Sequence, residues 1–138
     1  MEEGREEFKK IAKGKGCILQ WQDSNGEEHE SPEEVWLDML FGFCGCSDKE
    51  GMYSLVTKYM NKLSHGGGHE PEYYTSFIEE LFRGDEVYFY FVANLVDTLG
   101  LAEHGTAIRG AWLTPAGEYA LKLLTKQGFL ETVDDYYN

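Results

Sequence analysis

Long apolar runs are absent from this sequence: nothing in it approaches the ~18 consecutive apolar residues that a membrane-spanning helix requires, so no transmembrane segment is expected. The first residues, Met1-Glu2-Glu3-Gly4-Arg5-Glu6-Glu7, are acidic and lead into no apolar stretch, which argues against a secretory signal. Cysteine is scarce. Cys17, Cys44 and Cys46 cannot all pair within one chain, and only Gly45 separates the last two, so a disulfide framework is not expected and a reducing, cytoplasmic compartment is. Positive charge is in short supply too: 12 Lys and Arg stand against 25 Asp and Glu, a formal net charge of −13. Such a field repels nucleic acid phosphates and anionic membranes and attracts basic protein surfaces. The plain alternative is that acidity serves only solubility.

What is present is enough for a core. The chain has 138 residues, 42% hydrophobic and 14% aromatic, which suits one domain over residues 1 to 138 without a metal or disulfide staple. Phe8, Ile11 and Ala12 form a narrow stripe in an otherwise charged segment, predicting a surface-lying helix over residues 2 to 13 that ends at Gly14-Lys15-Gly16. Residues 17 to 22 read as a short strand running into the Asp23-Ser24-Asn25-Gly26 turn, its edge open to a hairpin elsewhere. Ser31-Pro32-Glu33-Glu34 and Ser47-Asp48-Lys49-Glu50 are helix starts with serine at the cap. Met52, Leu55, Val56, Tyr59, Met60 and Leu63 then repeat at helical spacing, while Gly66-Gly67-Gly68 must be a loop.

Residues 71 to 83 predict a further helix, with Tyr74, Phe77, Ile78, Leu81 and Phe82 on one side and Gly84 at its end. Asp85 caps the next. Its opening, Val87-Tyr88-Phe89-Tyr90-Phe91-Val92, has strand-like composition, but Val92, Leu95, Val96 and Leu99 keep a helical period up to Gly100. Residues 101 to 103 and 111 to 113 suggest a small hairpin, and Thr114-Pro115 opens a last helix that stops at Gly128. The tail from 129 to 138 is expected to be only partly ordered. The sum is an α+β, mainly α fold of five to six helices with a short strand and a small β-hairpin.

From residue 86 to 127 the order is apolar helix, Leu-Gly-Leu-Ala-Glu-His-Gly, a short loop, Ala-Trp-Leu-Thr-Pro-Ala-Gly-Glu, then helix. This resembles the second half of a winged-helix domain, in which a recognition helix leads into a two-stranded wing. The resemblance implies a winged-helix-like C-terminal half and, in the DNA-binding members, Lys and Arg on helix and wing. Here residues 70 to 103 hold eight acidic residues and one basic residue, Arg83, and the wing offers only Arg109. Phosphate neutralisation supplies most of the affinity for DNA, so protein binding or a homodimer fits this segment better, with a winged-helix transcription regulator as the alternative. With Phe43-Cys44-Gly45-Cys46, the chain is also similar to small phage- and prophage-encoded proteins, a resemblance that implies no activity.

Three constellations invite a chemical reading. Cys44 and Cys46 with His65 and His69 make the two thiolates and two imidazoles of a tetrahedral zinc site, and hence a small zinc-stabilised domain, although a Cys-x-Cys pair is tight for zinc and a long helix separates the two pairs. Cysteine with any of His29, His65, His69 or His104 could be drawn as a nucleophile and base, but no local hydrolase motif accompanies them, and no phosphate-binding loop occurs, so no enzyme is expected. Acidic residues cluster twice: Glu27, Glu28, Glu30, Glu33, Glu34 and Asp38 in one segment, Glu79, Glu80, Asp85 and Glu86 in another. Two carboxylate-rich faces on a rigid body can imitate phosphate spacing and occupy a basic groove on a nucleic-acid-binding protein. In composition this resembles phage-encoded inhibitors of host defence, anti-CRISPR proteins among them. A solvated surface with no partner is the competing reading.

Overall fold

The computed structural model describes residues 2–65, 77–105 and 111–129. The triple-glycine loop, His69, Tyr74, Arg109 and the tail from residue 130 lie outside them, as do the Cys44 and Phe77 side chains. The chain is α+β and mainly α. Its elements are α1 (Glu2–Gly14), β1 (Gln20–Gln22), β2 (Glu28–Glu30), α2 (Glu33–Phe41), a 3-10 turn (Phe43–Gly45), α3 (Lys49–Ser64), a π turn (Phe77–Leu81), α4 (Glu86–Thr98), β3 (Ala102–Glu103), β4 (Trp112–Leu113) and α5 (Pro115–Lys126).

The central helix is α3. Its positions from Gly51 to Thr57 are all buried, followed by Tyr59, Met60 and Leu63, so neighbouring elements pack around it. Tyr59, Phe82 and Phe89 meet edge to face at centroid distances of 5.6 to 6.4 Å, the arrangement that ring quadrupoles favour. On the other side, α1 lies along α5, with the Phe8 ring 5.5 Å from Tyr119 and 6.3 Å from Trp36. The narrow stripe of α1 is therefore wholly buried at Phe8 and Ala12.

Helix ends follow their local chemistry, with two corrections. Asp85 accepts from the Tyr88 N–H at 2.9 Å and Thr114 from the Gly117 N–H at 3.1 Å, as expected of cap residues. At α2, however, the cap position belongs to Pro32, and Ser31 instead donates to the Ile18 carbonyl at 3.4 Å. At α3 the cap is Asp48 rather than Ser47, its carboxylate accepting from Gly51 N–H at 3.1 Å. Gly42 stops α2 at φ 71°, a conformation that costs glycine little.

Both sheets are two-stranded and antiparallel. The strand at 20 to 22 takes its partner from directly after the turn, with Gln20 opposite Glu30, Trp21 opposite His29 and Gln22 opposite Glu28. The second hairpin pairs Ala102 with Leu113 and Glu103 with Trp112. Thr114 ties it to the end of α4 through a bond from its hydroxyl to the Gly100 carbonyl at 2.9 Å. Gly117 then lets α5 cross against the Leu101 carbonyl, where any Cβ would collide. Of the region 71 to 83, the described part is the π turn and the bend that follows it, with Ile78, Leu81 and Phe82 buried. No helix among the described residues is long and apolar enough to cross a membrane.

Candidate functional site

The first acidic segment divides by role. Glu30 holds α1 to the hairpin, pairing with Arg5 at 3.2 Å and Lys9 at 3.9 Å. The same two cations lie over the Trp36 ring, at 5.4 and 5.9 Å from its centroid. Glu33 accepts from the Tyr119 hydroxyl; burial first, and then this bond, push the phenol up to about 12. Asp38 accepts from the Tyr53 hydroxyl at 2.6 Å and pairs with Lys49 at 3.2 Å. These three carboxylates join elements together. Glu27, Glu28 and Glu34 are exposed, and Glu28 and Glu34 form no ion pair among the described residues.

The second segment divides the same way. Asp85 caps α4, and Glu80 lies 3.5 Å from Lys62, whereas Glu79 and Glu86 are exposed and form no ion pair among the described residues. The balance of charge is also uneven along the chain. Five of the 12 basic residues fall between Arg5 and Lys15, on or just after α1, and α4 has none.

α4 carries the feature that sequence periodicity missed. Its inner face buries Phe89, Val92, Ala93 and Val96, yet Val87 is 81% exposed and Phe91 50% exposed, one turn apart on the outer face. Those two residues form a ridge between two grooves. One groove, about 560 Å³, runs to the start of α3 and is lined by Cys46, Asp48, Met52 and Tyr88 among others. Its floor is fixed by the Tyr88 hydroxyl donating to Met52 Sδ at 2.8 Å. The other, about 390 Å³, follows α4 along Tyr90, Asn94, Leu95 and Thr98. Among the described residues, Asp48 is the one charged group lining either groove. The signal was present in the sequence as a helix apolar on two faces, which a one-sided helix has no need to be.

Of the four expected zinc donors, His69 and the Cys44 side chain lie outside the described residues, and the two that are described, Cys46 and His65, stand apart. Cys46 precedes α3 and His65 follows it, and a helix of 16 residues spans about 24 Å, so one ion with bonds near ~2.1 to 2.3 Å cannot take both. His65 instead hydrogen-bonds the Asn61 carbonyl at 2.7 Å. The donors that do gather among the described residues are Asp23, Glu27 and His29, with ligand atoms within 4.8 Å of one another. The hairpin accounts for two of the three side chains: Asp23 accepts from Asn25 N–H at 2.9 Å, from the Glu27 backbone N–H at 3.0 Å and from the His29 ring at 2.8 Å. The His29 bond first, and the backbone bonds after it, hold the Asp23 carboxyl below its ordinary range. Among the described cysteine side chains, Cys46 is exposed in the cleft with no histidine in its lining, and burial raises the Cys17 thiol.

Family models, curated proteins and solved structures all return no match to this chain. The functional reading therefore rests on charge and surface geometry.

Proposed function

We propose that the protein is a non-catalytic binding protein whose partner is a basic protein surface of the kind that holds nucleic acid. The observation that carries this reading is a group of exposed carboxylates that form no ion pair among the described residues, Glu28 and Glu34 in the first acidic segment and Glu79 and Glu86 in the second, on a chain of net charge −13. Carboxylates that hold no element together are available to a partner. Their sign selects Lys and Arg and rejects phosphate. In its specific form the partner is a nucleic-acid-handling complex and the protein a phage-encoded inhibitor of it, of the anti-CRISPR or another anti-defence type. That form is supported by the phage-like resemblance and by the composition. A transcription regulator reading DNA through α4 would need cations on that helix, which carries none.

The test is capture of partners on the immobilised full chain at low and high ionic strength. The reading expects a basic nucleic-acid-binding protein retained at low salt and released as salt rises. Retention indifferent to salt, or no basic partner at all, would remove it.

A further inference from the structure

We infer that the outer face of α4, with the cleft between it and the start of α3, is a docking groove for a basic amphipathic helix of a partner protein. The inference rests on the proposed preference for a basic partner and adds the surface and the form in which that partner binds.

Val87 and Phe91 are the ridge that such a helix would straddle. They are the most exposed large apolar residues of α4, and grooves of about 560 and 390 Å³ open on either side of them. Along the helix, Val87, Tyr90 and Phe91, Asn94 and Leu95, and Thr98 recur at i, i+3/i+4, i+7/i+8 and i+11, a stripe running most of its 13 residues, about 20 Å. That is the geometry in which two helices pack side by side, with anchors at the same spacing on the partner. The floor is rigid, because Tyr88 is hydrogen-bonded to Met52 and packs at 5.6 Å from Phe91.

Charge decides between possible occupants. Asp48 lines the cleft, Glu86 adjoins Val87, and among the described residues no Lys or Arg lines either groove. A second copy would bring the same carboxylates and its own charge of −13 to the contact, and like charges brought together oppose association. An anionic membrane or a nucleic acid is repelled for the same reason. A helix with apolar anchors flanked by Lys or Arg satisfies both the apolar ridge and the acidic rim.

The experiment uses the full chain and three synthetic 20-residue probes: a helical peptide with Leu on one face and Lys on the other, its Glu-for-Lys counterpart, and a scrambled peptide of the Lys composition. Fluorescence anisotropy is expected to show binding of the patterned Lys peptide, with the other two weaker by about tenfold or more. Val87→Asp and Phe91→Ala are each expected to weaken that binding by about tenfold, about 1.4 kcal/mol. Val87→Asp makes the surface more acidic, so a loss there reports the apolar contact and not the charge. Circular dichroism melting of both variants checks that the fold is intact.

Equal binding of the scrambled peptide, or indifference to both substitutions, would overturn the groove while a salt-sensitive basic partner still left the proposed function standing. Self-association in sedimentation that Val87→Asp abolishes would overturn the choice of occupant in favour of a second copy. No binding of any basic peptide or protein at low salt would overturn groove and function together.

Discussion

Asp23 organises the first hairpin through one carboxylate, accepting two backbone N–H bonds on Oδ1 and the His29 ring N–H on Oδ2. Because these bonds depress its folded-state pKa below the ordinary 3.8, its contribution is fully present above that value and is lost as pH falls through the lowered one. Asp23→Asn is therefore expected to melt below the wild type at pH 7 and to converge with it in acid; a gap independent of pH would contradict the assignment. Gly117 is the second residue with a sharp consequence. A Cβ there runs into the Leu101 carbonyl, so Gly117→Ala is expected to destabilise by about 3 kcal/mol in chemical denaturation. The cap residues show what a sequence can and cannot say at this scale. Asp85 holds its expected cap, whereas Ser47 adjoins an aspartate of equal cap preference that takes its place; Ser31 and Thr114 each precede a proline, yet only Thr114 keeps the cap, so the dipeptide alone does not fix the position.

At the scale of elements, α4 is the informative case. Its helical period was legible from Val92, Leu95, Val96 and Leu99, in spite of a strand-like opening. What sequence could not assign is which apolar positions face inward, since Phe89 and Phe91 are equally hydrophobic and differ only in what packs against them. The structure separates them: Phe89 is fully buried and Phe91 half exposed. Phe89→Ala is expected to cost ~3 to 5 kcal/mol of stability, and Phe91→Ala less than ~1 kcal/mol, read from paired denaturation curves. Comparable losses would place Phe91 in the core and close the proposed groove. The partner of β1 was illegible for a different reason. Glu28-His29-Glu30 carries no apolar alternation, and the strand exists because the Asp23 turn folds it back. Of the expected zinc donors, Cys46 and His65 are held apart at this scale by the 16 residues of α3.

For the molecule as a whole, 25 acidic residues against 12 basic ones make self-repulsion a standing cost of folding. Internal pairs such as Glu30 with Arg5 and Lys9, Asp38 with Lys49 and Glu80 with Lys62 offset it only locally. Exposed pairs of this kind contribute little. Raising salt from about 10 to about 200 mM shortens the screening length severalfold, so the melting temperature is expected to rise; a fall would mean that the ion pairs outweigh the net charge. The total charge was legible from the sequence. Its division was not, because only the structure tells carboxylates that staple elements, such as Glu33 on Tyr119, from those that form no ion pair among the described residues, such as Glu28 and Glu86.

The central claim is that exposed carboxylates such as Glu28 and Glu86 engage a protein surface that otherwise holds nucleic acid. The most direct measurement is a competition titration, in which a basic partner captured on the immobilised chain at low salt is challenged with increasing duplex DNA or RNA. The account predicts stoichiometric release of the partner by nucleic acid, with no nucleic acid retained on the chain itself. A partner that stays bound while it takes up nucleic acid, or direct retention of the nucleic acid by the chain, would contradict it.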